Sequence, residues 1–213
     1  MPTCRIDHLA IVAPTLQAGS DALHAQLGVR PQPGGQHARM GTHNLLLRLG
    51  EALYLEVIAV DPGVPAPPRA RWFELDRLAA DAPPRLACWV ARTDDIAAAV
   101  AATAAVPVGE VLPMSRGGFG WRITVPADGS LPLGGAAPTL IQWDTPAHPA
   151  STLEDLGCTL VALELQHPEP ARVQALLDRL GLAEPAVTLT VREAPVPGLL
   201  AWVRTAAGLR SLG

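Results

Sequence analysis

The chain has 213 residues, room for one large domain or two small ones, and a 49% hydrophobic content that marks a folded chain rather than a disordered one. A net charge of −4 gives no basic footprint, which argues against nucleic acid as a partner. All 16 basic side chains other than histidine are arginines, so Schiff-base and lysine general-base chemistry are excluded.

Met1-Pro2-Thr3-Cys4-Arg5 leads directly into a strand and lacks the basic-then-apolar order of a secretory leader. No apolar run reaches the length needed to span a bilayer. Cys4, Cys88 and Cys158 are odd in number and widely spaced, which suits neither a disulfide framework nor a CxxC zinc site. The expectation is a soluble cytoplasmic protein with no membrane partner.

The first predicted strand, Arg5–Val12, carries His8 among apolar residues. An amphipathic helix follows, with Leu16, Ala22, Leu23 and Leu27 near the 3.6-residue period, Thr15 as N-cap and Gly28 as left-handed C-cap. A Gly/His-rich turn, Gly34–Asn44, then leads to strands Leu45–Leu49 and Tyr54–Ile58, and the unit reads as βαβββ. The proline-rich stretch Asp61–Arg71 reads as a linker, and Trp72–Ala80 as a short helix.

A second pass begins with strand Leu86–Ala91 and an alanine-rich helix, Ile96–Ala105, opened by Asp94 and Asp95. Strands Val108–Leu112, Trp121–Val125 and Thr139–Trp143 complete it. A third pass comprises strand Thr159–Gln166, helix Pro170–Leu180, strand Val187–Val191 and a hairpin of Leu199–Arg204 with Leu209–Leu212. Units too small to bury their own sheet face are expected to pair. The predicted class is α+β: repeated βαβββ modules forming a curled mixed sheet with helices outside. The division is residues 1–150, made of modules at about 4–62 and 84–146, with 151–213 as an extension packed on them.

His8 in Ile-Asp-His-Leu, Gly-Gly-x-His at Gly34–His37, Gly-Thr-x-Asn at Gly41–Asn44 and Tyr-Leu-Glu at Tyr54–Glu56 together resemble the glyoxalase-like domain of the vicinal oxygen chelate superfamily. Pro138–Trp143 is similar to that family's second-half strand. The resemblance implies a concave face that binds one divalent metal, with ligands from the first and last strands of each module. By position those places hold His8 and Glu56 in the first module, and Cys88 and Gln142 in the second. It also implies lyase, isomerase or dioxygenase chemistry, or non-catalytic sequestration of a small molecule in the same cavity.

Alternation along the strands lets His8 and Glu56 converge, and His37 or His43 can add a third group. Two imidazoles and a carboxylate suit Fe, Mn, Ni or Zn; the candidate metal set is His8, His37 and Glu56. Without metal, His8 and Glu56 form a hydrogen-bonded pair, or Glu56 serves as catalytic base. Candidate substrate contacts are Asn44, Arg48, Arg116, Trp121 and Gln142, the arginines because a guanidinium forks onto carboxylates. Arg122 and Trp143 are kept as lesser candidates, and His24, His148 and His167 are expected to be solvated. Gly117–Gly120 lacks the strand–GxxxxGK–helix context, so no nucleotide cofactor is expected. The expected partner is a small-molecule ligand, and completion of the site across a homodimer is left open.

Overall fold

The structure is a computed structural model that describes residues 2–213. Strand β1 (Cys4–Val12) is followed by helix α1 (Leu16–Leu27) and strands β2 (Gln32–His37), β3 (Thr42–Gly50) and β4 (Leu53–Val60). The same order returns in β5 (Arg85–Thr93), α2 (Ile96–Ala102), β6 (Glu110–Arg116), β7 (Phe119–Val125) and β8 (Thr139–Trp143). These eight strands form one mixed sheet in the order β2-β3-β4-β1-β5-β8-β7-β6. Each series pairs its first strand parallel to its last, and β1 meets β5 antiparallel at the centre. The sheet curls until its outer strands β2 and β6 lie close together, and Arg39 Nη1 donates to the Pro113 carbonyl across that gap at 3.1 Å. The architecture is the expected α+β arrangement of paired βαβββ modules.

The third series, β9 (Thr159–His167), α3 (Pro170–Arg179), β10 (Thr188–Glu193), β11 (Gly198–Thr205) and β12 (Gly208–Leu212), forms a separate sheet ordered β10-β9-β11-β12. Here the strand after the helix lies directly beside the first strand instead of at the far edge. It shares the element order of the other two series but is not a third copy of their topology. No helix among the described residues is long and apolar enough to cross a membrane.

Local rules account for the helix boundaries. Thr15 is extended and its hydroxyl accepts from the Ala18 amide, while Gly28 at φ 77° ends α1. The buried face of α1, including Gly19, Leu23 and Leu27, packs on the convex side of the sheet. That convex layer continues through Trp89 and Leu140 to Leu163, Leu165 and Val203 of the second sheet. A different apolar cluster fills part of the concave side, where Val12, Ile58, Val90 and Ile123 meet Trp72 and Phe73 from the connector between the modules.

Two expectations are corrected. The Gly34–Asn44 segment is not a plain turn: its first half belongs to edge strand β2, and β3 already begins at Thr42. Nor is Trp72–Ala80 a regular helix; it is a 3-10 segment, Trp72–Arg77, broken where Phe73 and Glu74 adopt φ values of 59° and 58°. Left-handed backbone at a non-glycine residue costs on the order of 1 kcal/mol or more. Neighbouring contacts hold it: Asp76 accepts from the Arg71 amide and guanidinium, and the Glu74 amide donates to the Gly129 carbonyl.

Helix α1 lies so close to β4 that a Cβ at Gly19 would stand 2.3 Å from Val57 Cγ1. Gly19→Ala is therefore expected to destabilise the protein by about 1–3 kcal/mol through overpacking, read as a lower urea midpoint with an unchanged m-value.

Candidate functional site

Neighbouring residues of a strand point to opposite faces, yet Asp7 and His8 act on the same side. The register of β1 against β5 slips between Ile6 and His8, leaving Asp7 without a partner across the ladder. The Asp7 carboxylate is fully buried. Its Oδ1 accepts from His8 Nδ1 at 2.6 Å, and its Oδ2 accepts from Trp143 Nε1 at 2.9 Å and His148 Nε2 at 3.0 Å. Arg92 Nη1 stands 3.8 Å away. Burial opposes ionisation of Asp7, but hydrogen bonds from His148 and His8, together with their charge, outweigh it and hold the carboxyl well below the usual range.

With Nδ1 directed at Asp7, His8 turns Nε2 toward Glu56 Oε2 at 3.7 Å. Glu56 comes from β4, whose register places it opposite Ala10, on the concave face shared with His8. The His8 ring stacks on Tyr54 with centroids 4.5 Å apart. Burial first, and then the charges of Asp7 and Glu56, push the Tyr54 phenol well above its ordinary pKa, so it stays neutral.

The two glycine motifs prove to be the two sides of one hairpin. Asn44 on β3 reaches across to β2, where its Oδ1 accepts from the Gly35 amide at 2.9 Å. Its Nδ2 donates to Glu56 Oε1 at 2.5 Å and lies 3.4 Å from His37 Nε2. A Cβ at Gly34 would stand 2.1 Å from Asn44 Oδ1, and one at Gly35 would press on the Arg116 side chain at 2.9 Å. The glycines thus admit Asn44 and Arg116 to the site.

His37, at the end of β2, donates from Nδ1 to Thr42 Oγ1 at 3.0 Å, so its Nε2 lone pair faces both Asn44 and Arg116 Nη1, the latter at 3.5 Å. Burial lowers its pKa to about 4, with Arg116 and His8 adding to the effect and Glu56 opposing it. His37 Nε2 is 3.9 Å from Glu56 Oε1.

Together with Tyr54, His8, His37, Glu56 and Arg116 border a narrow cleft. Its far wall is aromatic and apolar: Trp72 and Phe73 from the connector, Trp121 from β7, and Ile141 with Trp143 from β8.

A sequence profile described as a glyoxalase-like domain matches residues 6–181. The chain belongs to that family. No curated protein sequence matches this glyoxalase-like chain. Among solved structures, a hypothetical protein from Staphylococcus aureus is 14% identical, with 92% of this chain and 88% of that one covered and a TM-score of 0.65. Methylmalonyl-CoA epimerase from Mycobacterium tuberculosis is 17% identical over 65% of this chain and 85% of its own, with a TM-score of 0.42. A Streptomyces coelicolor methylmalonyl-CoA epimerase, in complex with 2-nitronate-propionyl-CoA, is 18% identical over 67% and 98%, also with a TM-score of 0.42.

Of the residues singled out in the glyoxalase-like sequence, His8, His37, Asn44, Glu56, Arg116 and Trp121 come together. Arg48 shares the concave face of β3 but lies outside the cleft, its Nε donating to the Gly50 carbonyl at 3.1 Å. Gln142 points to the convex side, where its Oε1 accepts from the Ile96 amide at the start of α2; the inward residues of β8 are Ile141 and Trp143. His43 alternates away from Asn44 on β3. Cys88 does sit on the concave face beside Ala10, but burial, reinforced by the Glu56 charge, raises its thiol well above the ordinary value.

Sequence reasoning missed Asp7, Trp72, Phe73 and His148. An aspartate beside a histidine in an apolar strand was the available signal for Asp7. The expectation that His148 and His167 are solvated is corrected: His148 is held on Asp7, and His167 is buried with its Nδ1 accepting from the Glu169 amide.

Among the described residues, no group of three or more His, Cys, Asp or Glu side chains stands as a ready metal cage. In chemistry, however, His8, His37 and Glu56 suit a divalent cation. Both Nε2 atoms face the carboxylate, and both Nδ1 atoms are tied to oxygens behind them, as in histidines that bind metals. Arg116 and Asn44, now directed at the His37 lone pair, would have to withdraw.

A buried histidine with a lowered pKa leaves the unfolded chain binding more protons between about pH 6.5 and 4, so stability falls as pH drops through that window. His37→Gln is expected to flatten that part of the curve, measured by urea unfolding in EDTA. Loss of stability below about pH 4, where the aspartates titrate, should persist in the variant.

Proposed function

We propose that this glyoxalase-like chain binds a small oxygenated metabolite in the concave cleft and moves a proton on it, with a lyase or isomerase outcome. The observation that supports this is the alignment of Asp7, His8 and Glu56: a buried carboxylate orients an imidazole whose Nε2 stands 3.7 Å from a second carboxylate. Asn44 occupies Glu56 Oε1 and leaves Oε2 for the substrate. Glu56 takes the proton, His8 receives it as the contact tightens around substrate, and Asp7 stabilises the resulting imidazolium. Arg116 and Trp121 bound the space in which the substrate sits.

If a divalent cation is bound, His8, His37 and Glu56 are the residues that would hold it, and it would polarise a substrate oxygen as a Lewis acid. A second reading, sequestration without chemistry, draws support from the aromatic and apolar far wall, where β7 and β8 bring no proton-transfer group to the cleft.

Deuterium exchange in D2O separates these readings. The protein, reconstituted in turn with Fe, Mn, Ni, Zn or no metal, is incubated with a panel of 2-oxo and 2-hydroxy acids. Exchange next to a carbonyl is expected for at least one member and should fall about 100-fold or more in Glu56→Gln. Saturable binding without exchange in every metal state would leave the sequestration reading in its place. Metal analysis of the protein beside a His8→Ala/Glu56→Ala double variant decides the cofactor. Stoichiometric metal lost in the variant is the result expected of a metal centre, and none in either after reconstitution would leave a metal-free relay.

A further inference from the structure

We propose that the ligand of this cleft is a small carboxylate, and that the indole N–H of Trp72 together with the guanidinium of Arg116 receives its oxygens. The proposal rests on the cleft being the ligand site, and it adds the ligand's charge and a specificity-determining residue that the sequence motifs do not contain.

Trp72 is 4% exposed and borders the cleft. Its Nε1 is buried and has no hydrogen-bond acceptor among the described residues. Buried donors in native proteins are nearly always satisfied; Trp89 donates to the Ala136 carbonyl and Trp143 to Asp7. The Trp72 indole N–H has no such acceptor, and its ring lines the cleft, where an acceptor can arrive from outside.

Arg116 is a second donor without an adequate partner. It is 9% exposed and forms no ion pair among the described residues; its protein contact is the neutral His37 imidazole at 3.5 Å. A nearly buried cation is costly unless paired. Both donors flank the same ring, since Trp72 packs edge-on against His37 with centroids 5.1 Å apart. Arg116 also borders an open groove walled by Gly34, Gly35, Gly117 and Gly118, which is a route for an anion from solvent.

The backbone points the same way. Trp72 is presented by the left-handed pair Phe73 and Glu74, strained residues of the kind that gather at ligand clamps. Arg71 and Asp76 lock that turn, and Arg71 Nε also bonds the Gly41 carbonyl beside the His37 hairpin. Two donors without a charged partner, set beside one cleft, complement an anion rather than a neutral carbonyl compound.

The test is NMR titration of protein labelled with 15N-tryptophan and with labelled histidine rings, using pyruvate, oxalate and the neutral analogue pyruvamide as probes. The Trp72 indole signal is the one missing from Trp72→Phe. Pyruvate or oxalate is expected to move that signal downfield and perturb the His8 ring. Binding should weaken about tenfold or more in Trp72→Phe and in Arg116→Met, as for loss of a hydrogen bond to a charged group, while pyruvamide leaves the indole signal in place. Equal binding of pyruvamide, or native-like carboxylate binding by Trp72→Phe, would overturn the proposal while the cleft remains the ligand site. If none of the probes moves either the His8 or the Trp72 signals, the cleft reading falls with it. Should Trp72→Phe fail to fold, the Trp72 signal is assigned by its NOEs to the His37 and Phe73 rings, and the titration of the unsubstituted protein still decides.

Discussion

A single buried carboxylate organises this protein. Asp7 has no contact with solvent, yet it collects donors from His8 beside it, Trp143 on β8 and His148 beyond that strand, with Arg92 of β5 close by. An unpaired charge at that depth would be untenable. The ladder slip at Asp7 is therefore tied to how β1, β5 and β8 assemble. The same contact fixes the imidazole of His8, so the interaction that joins the two modules at their centre also orients a side chain of the cleft.

The two halves of the curled sheet have diverged in role. The first module brings ionisable groups to the concave face: His8, His37 and Glu56, with Asn44 bridging the last two. The second brings Ile123, Ile141, Trp121 and Trp143, and places Cys88 where its thiol stays protonated. Its one polar contribution to the cleft is Arg116, which the glycine-lined edge of β2 accommodates. The cleft thus has a wall rich in ionisable groups facing one that is largely aromatic and apolar.

The connector is more than a tether. Proline keeps it out of regular structure, and it crosses the concave side to set Trp72 and Phe73 over the cleft in a left-handed turn. Closing the mouth with aromatic rings lowers the local polarity and strengthens every electrostatic contact beneath them.

Much of the architecture was legible from local pattern. Thr15 and Gly28 bracket α1 because capping is a local property, and the strand runs of both modules follow from alternation and turn residues. His8 and Glu56 could be read as a pair because each breaks an apolar strand, whereas His37 and Asn44 joined them through the motifs shared with glyoxalase-like domains. The edge strand β2 was hidden, since glycines carry no strand preference and only pairing with β3 makes them extended. Side-chain direction was beyond the sequence wherever a single residue of register decides it. Gln142 occupies a plausible position, but β8 turns Ile141 and Trp143 inward and sends it to cap α2. Asp7 joins His8 only because the ladder slips there, and His148 and Trp72 reach the site from segments distant in the chain. The sequence by itself determined the elements and the residues able to do chemistry, because both depend on near neighbours. Only the tertiary structure decided which of them share a face and which donors remain unpaired, because register, curl and long-range contact are properties of the whole sheet.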